Sequence, residues 1–188
     1  MQLDGLKVAV LVTDGYEPSE LTGPMRALRD AGADPVIVSD HDGTIKGKTD
    51  ADTASVDLTL EHASAEDYGA LLLPGGVKNP DTMRQNEAGV AFVRHFAAAG
   101  KPIAAICHAP WLLIEADVVR GRRVTSYPSL KTDLRNAGAT WVDEEVVTDQ
   151  GLVTSRTPKD LPAFNAKMVE EFAEGTHRRA TSSIATGA

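Results

Sequence analysis

Residues 7–39 read KVAVLVTDGYEPSELTGPMRALRDAGADPVIVS, and this stretch decides the fold. Lys7 to Thr13 is a nearly continuous β-branched run, the pattern of a strand covered on both faces. Pro18 to Ala31 carries apolar residues at Leu21, Met25 and Leu28, a helical spacing that stops at Gly32. Asp34 to Ser39 is a second short buried strand, so the stretch is a β-α-β unit of ordinary length.

The same alternation continues downstream. Gly43 to Leu60 alternates polar and apolar residues and reads as a hairpin or edge excursion. Ala70 to Leu73 is a buried strand ended by Pro74-Gly75-Gly76, and Pro80 to Ala99 is a helix with Met83, Val90, Phe92, Val93 and Phe96 on its apolar face. Pro102 to Ile106 is the next strand, followed by helices over Ala109–Ala116 and Ser129–Ala137. Glu145 to Ser155 gives two short strands and Pro158 to Glu174 a last amphipathic helix. The expected organisation is one domain over residues 1–174 and a polar tail over 175–188. Buried strands alternating with helices predict an α/β fold with a mostly parallel sheet wrapped on both sides. Ligands in such folds bind beyond the carboxyl ends of the strands, so Glu17 and its loop, Gly75-Gly76 and Cys107-His108 are expected to share one crevice.

Composition narrows the chemistry. The 188 residues carry 19 basic and 27 acidic side chains, a formal charge of −8 that argues against nucleic acid or an anionic membrane as partner. A chain of this length buries roughly 70% of its unfolded surface without staples. No stretch approaches the ~20 apolar residues of a membrane span, and no signal peptide is read at the N-terminus, so the expected location is the cytoplasm. The single cysteine, Cys107, excludes an internal disulfide and multi-cysteine metal sites, and no His/Asp/Glu cluster has metal-ligand spacing. No metal and no cofactor are expected. Thr13-Asp14-Gly15-Tyr16 lacks the dinucleotide glycine pattern, and Gly47-Lys48-Thr49 lacks the upstream glycine of a phosphate loop.

The strongest local signal is Ala105-Ile106-Cys107-His108-Ala109, small residues flanking a nucleophile at a strand-to-helix turn. A helix N-terminus there favours a thiolate, and the His108 amide lies beside it; the alternative is a buried structural cysteine. Glu17, just before a helix, either complements the helix dipole or, protonated, donates a hydrogen bond to the sulfur. Gly75-Gly76 is either a plain turn or part of an oxyanion hole.

These residues resemble the DJ-1/ThiJ/PfpI superfamily, and its PfpI-like branch most. The matching segments are Tyr16-Glu17-Pro18-Ser19-Glu20-Leu21, Leu73-Pro74-Gly75-Gly76, Ala105-Ile106-Cys107-His108-Ala109-Pro110, Thr125-Ser126-Tyr127-Pro128, Asn136-Ala137-Gly138-Ala139 and Val153-Thr154-Ser155-Arg156. The resemblance implies a flavodoxin-like three-layer sandwich with a nucleophile elbow. It implies Cys107 as nucleophile, Glu17 as its protonated partner, Gly75, Gly76 and the His108 amide as oxyanion-binding backbone, and Tyr127 lining the pocket. It also implies that Asp81 completes His108 from a neighbouring subunit, hence a homo-oligomer between dimer and hexamer. Three activities follow as expectations. The first is cofactor-free glyoxalase III or deglycase chemistry on small reactive carbonyls, a stress-protection role. The second is hydrolysis of peptides by Cys107, His108 and Asp81, and the third a non-enzymatic peroxide sensor at Cys107.

Overall fold

Successive side chains of a strand point to opposite faces, so a run as apolar as residues 7–13 must be covered twice. The computed structural model, which describes residues 2–177, covers it with helices. In chain order the strands are β1 (Lys7–Leu11), β2 (Asp34–Ser39), β3 (Thr44–Lys46), β4 (Thr53–Ser55), β5 (Leu58–Thr59), β6 (Ala70–Leu73), β7 (Ile103–Ile106), β8 (Arg123–Val124), β9 (Thr140–Trp141), β10 (Val146–Asp149) and β11 (Leu152–Ser155). The helices are α1 (Pro18–Asp30), α2 (Lys78–Met83), α3 (Glu87–Ala98), α4 (Pro110–Glu115), α5 (Lys131–Asn136) and α6 (Leu161–Glu174).

Val8 and Val10 pack with Leu21, Met25 and Leu28 of α1 and with Phe164, Met168 and Phe172 of α6. Ala9 and Leu11, one residue out of phase, pack with Val90, Val93 and Phe96 of α3 and Leu112 and Leu113 of α4. This is the three-layer α/β sandwich that the strand pattern and the resemblance imply. The central sheet runs β10-β11-β7-β6-β1-β2-β5. Only β10 with β11 is antiparallel; all other pairs in that sheet are parallel. The chain winds outward from β1 to β2 and β5, then returns to β6 and winds the other way, so the order switches between β1 and β6. A crevice opens at such a switch, beyond the carboxyl ends of the strands.

Two helices differ from the sequence reading, and the segment 43–60 takes both forms expected of it. The expected helix over residues 80–99 is two helices, because Asn86 is extended (φ −90°, ψ 110°) and its side chain caps α3 by accepting from the Gly89 amide. The segment 43–60 is an antiparallel β3–β4 hairpin, after which β5 adds a parallel edge strand beside β2. Ser129–Ala137 is a single 3-10 turn leading into α5. Of the expected tail, Gly175–His177 are described; residues 178–188 lie outside the described residues. Among the described residues no helix is long and apolar enough to cross a membrane.

One buried side chain ties the switch point together. Asn79 accepts from the Thr13 amide at 2.8 Å and donates to the Pro74 and Gly75 carbonyls at 3.0 and 3.1 Å. Asn79→Ala strands three buried backbone groups, and urea unfolding is expected to show a loss of about 2 kcal/mol. A change below ~0.5 kcal/mol would mean that water replaces these bonds.

Candidate active site

The loops that leave β1, β6 and β7 meet in an open cleft of about 710 Å³, lined among others by Tyr16, Glu17, Glu20, Gly76, Cys107, His108 and Tyr127. The crevice expected from topology is therefore present. The β3–β4 hairpin adds a wall the sequence did not announce. Lys46 donates its amide to Asp14 and accepts from the Gly15 amide at 2.7 Å each, which brings Gly47 and Lys48 to the cleft edge.

Cys107 follows β7 with φ 65°, a left-handed conformation for a residue with a Cβ. External bonds hold it there. Its amide donates to Ser155 O at 3.1 Å, and its carbonyl accepts from the Tyr127 amide at 2.9 Å. Neighbouring side chains ordinarily diverge, but the left-handed turn at Cys107 brings the His108 ring alongside, with Nδ1 3.1 Å from Sγ. His108 Nε2 faces Ser129 Oγ at 3.2 Å. Its ring stacks on Tyr127 at 4.5 Å and tilts against Trp111 at 5.1 Å between centroids. Burial lowers the His108 pKa, so the ring is neutral at neutral pH.

The carboxyl beside Cys107 belongs to Glu20, not Glu17. Glu20 lies in the first turn of α1 on its inward face and is fully buried. Glu17 is the residue before α1 and turns outward, accepting from Ser19 Oγ at 3.4 Å and standing 3.7 Å from Lys48 Nζ. Neither Glu20 oxygen has a partner at full hydrogen-bond geometry, although the Gly75 and Gly76 amides and the Cys107 thiol lie close enough to favour its ionised form in part. Burial prevails, with the charge of Glu17 second, and pushes the carboxyl up to about 7.

Burial, then the charge of Glu20, also pushes the Cys107 thiol up to about 12. Both effects act against the resting thiolate expected from the helix N-terminus. α4 has only six residues and begins three residues after Cys107, so its dipole is weak against that desolvation. The Gly76 and His108 amides still act in the thiolate's favour. Burial thus favours the protonated forms of both groups, and each opposes ionisation of the other.

The glycine pair divides its work. Gly76, at φ 83°, lines the cleft. Gly75 sits behind it, where a Cβ would run into Glu20 Oε2 and stand 2.6 Å from Cys107 Cβ and 2.7 Å from Ile106 O. Gly75 therefore allows the carboxyl and the thiol to meet, while Gly76 and His108 present the amides toward the sulfur. Tyr127, 40% exposed, forms the rim as expected. Asp81 does not join the cleft within one chain; its carboxylate pairs with Arg84 at 2.9 Å, and that guanidinium lies 4.8 Å above the Trp111 ring. Sequence reasoning missed Glu20 as the partner acid, Ser129, Trp111 and the hairpin wall. Only Glu20 carried a readable signal, an acid within the apolar stripe of Leu21, Pro24, Met25 and Leu28.

Residues 6–171 match the family described as DJ-1/PfpI family. The chain is 47% identical over 161 residues to protein/nucleic acid deglycase 2 of Escherichia coli, covering 85% of this chain and 93% of that protein. It is 44% identical over 163 residues to general stress protein 18 of Bacillus subtilis, covering 86% and 94%. Among solved structures, Drosophila melanogaster DJ-1beta is similar at a TM-score of 0.83 with 30% identity, covering 89% of this chain and 90% of that one.

Proposed function

The chain belongs to the DJ-1/PfpI family, and on that premise we propose that it is a cysteine-dependent stress-protection enzyme acting on reactive carbonyls of the methylglyoxal and glycation-adduct class. The observation that carries this reading is the meeting of the buried Cys107 thiol, set on its left-handed turn, with His108 Nδ1 at 3.1 Å and the buried Glu20 carboxyl, which burial raises to about 7, in one open cleft. A carboxyl raised toward neutrality is partly ionised at neutral pH, so it can take the thiol proton as the sulfur bonds to carbon. The name of the Escherichia coli relative, a deglycase, supports carbonyl repair, and that of the Bacillus subtilis relative, a general stress protein, supports the stress-protection role.

The chemistry balances without a cofactor. Cys107 Sγ bonds to the aldehyde carbon while its proton passes to the Glu20 carboxylate. The carbonyl π pair moves onto oxygen, where the Gly76 and His108 amides receive the charge. The oxyanion is protonated to the hemithioacetal. Neutral His108, with Nδ1 beside the sulfur, then removes the proton from that carbon and returns one to the neighbouring carbon. This isomerises the adduct to a hydroxy-thioester. Water hydrolyses the thioester and restores the thiol, so methylglyoxal plus water becomes lactate with no net oxidation.

The test is to give the purified chain methylglyoxal and a fluorogenic peptide in parallel, following lactate by NMR and cleavage by fluorescence. Lactate without peptide cleavage is the expected result. Peptide cleavage in place of lactate would transfer the site to hydrolysis. Absence of both activities, with oxygen added to Cys107 by dilute peroxide, would make it a sensor.

A further inference from the structure

The C-terminal end of α6 assembles a second cluster of chemical groups beside the turns at Gly100 and Gly151 that lead into β7 and β11. α6 stops at Glu174, and Gly175, at φ 77°, turns the chain out of the helix. His177 comes back over the last turn. Its amide donates to Gly100 O at 2.8 Å, and its ring lies so close to Gly151 that a Cβ there would stand 2.8 Å from the ring carbon Cδ2. The ring is thus fixed from two sides before any ligand is considered.

In this position His177 Nε2 stands 3.4 Å from Glu171 Oε2 and 3.7 Å from Glu174 Oε2. One donor atom from each of the three residues lies within 4.8 Å of the others. Two of these atoms are unusual. Glu171 is 7% exposed, and among the described residues neither its Oε2 nor His177 Nε2, both buried, has a hydrogen-bond partner. When His177 is neutral with its ring proton on Nδ1, the carboxylate oxygen and Nε2 each keep a lone pair for a cation lying between them.

We propose that Glu171, Glu174 and His177 form a binding site for a divalent zinc-class cation that clamps the end of α6 to the turns at Gly100 and Gly151. A four-coordinate zinc ion with bonds of about 2.0–2.1 Å spaces its donor atoms about 3.3 Å apart. The two contacts of His177, at 3.4 and 3.7 Å, match that spacing. The Glu174 side chain is 54% exposed and is free to close on the metal. Two carboxylates and one imidazole complete three positions, leaving the fourth for water. The spacing 171, 174, 177 escapes a helical reading because the helix ends between the second and third donors.

The experiment uses the full chain carrying Cys107→Ala, so that the thiol cannot bind metal, stripped with chelator and titrated with zinc chloride by calorimetry. The expected result is one zinc per chain and a rise in melting temperature reversed by chelator. Affinity is expected to fall at least about tenfold in His177→Ala and in Glu171→Gln. Because Glu171 is buried, the half-exposed Glu174→Gln serves as the variant that keeps the fold, with the same direction of effect. Cobalt(II) in place of zinc should give the intense visible absorption of a tetrahedral site. Failure to bind zinc stoichiometrically, or equal affinity in His177→Ala, overturns the proposal and leaves a plain imidazole–carboxylate contact.

Discussion

Cys107→Ala is expected to lose at least about 10³-fold in turnover of methylglyoxal while keeping the fold. The variant retains the cleft, the two amides and Glu20, so carbonyl compounds still enter, but the only sulfur nucleophile in the chain is gone. The fold survives because the left-handed turn at residue 107 is held by Ser155 and the Tyr127 amide rather than by the side chain. Alanine inherits the strain of φ 65° at that position. Cys107→Gly relieves about 1 kcal/mol of it, so in thermal melts the glycine variant should not fall below the alanine variant by its usual flexibility penalty. Turnover in Cys107→Ala within about tenfold of the parent would place the carbonyl chemistry elsewhere.

Glu20→Gln is expected to slow turnover about 10²- to 10⁴-fold and, at about pH 8, to raise stability by about 3 kcal/mol. Glutamine fills the same space but cannot accept the thiol proton. The stability gain follows from the raised carboxyl. Between its ordinary value of 4.5 and about 7 in the folded chain, the folded state binds more protons than the unfolded one. Its contribution is therefore full below 4.5 and lost as the pH rises through about 7. The glutamine variant has no such loss, so denaturation curves of the two proteins should converge near pH 4 and separate above 7. Alkylation by iodoacetamide adds a second signature. In the parent, removal of the first proton from the pair, near 7, leaves one proton shared by sulfur and carboxyl, so the rate rises through 7 and then levels. In Glu20→Gln that inflection disappears. Parallel pH profiles in the two proteins would remove Glu20 from the mechanism.

The fold was legible because its information is local. Apolar runs such as Ala70–Leu73 and Ile103–Ile106 are too short for helices and too continuous for exposed strands, and their alternation with helices allows few topologies. The crevice followed from chain order alone. The finer placement was not legible where it turned on rotation about a helix axis. Glu17 and Glu20 are three residues apart, yet one stands half-buried at the cleft edge beside Lys48 and the other is buried against Gly75. The state of the thiol was likewise outside the sequence, because it depends on how far burial outweighs a short helix. Asn86, by contrast, preceded Glu87 at a break that capping rules could have found.

The backbone at residue 107 is set from outside, by Ser155 on one side and Tyr127 on the other. The position thus works as a mount whose geometry is independent of the atom it presents. A serine or a selenocysteine there would be offered at the same angle to the same amides. A change of nucleophile would then alter the hardness and acidity of the attacking atom without moving it, which makes this site a place to compare oxygen, sulfur and selenium in one fixed frame.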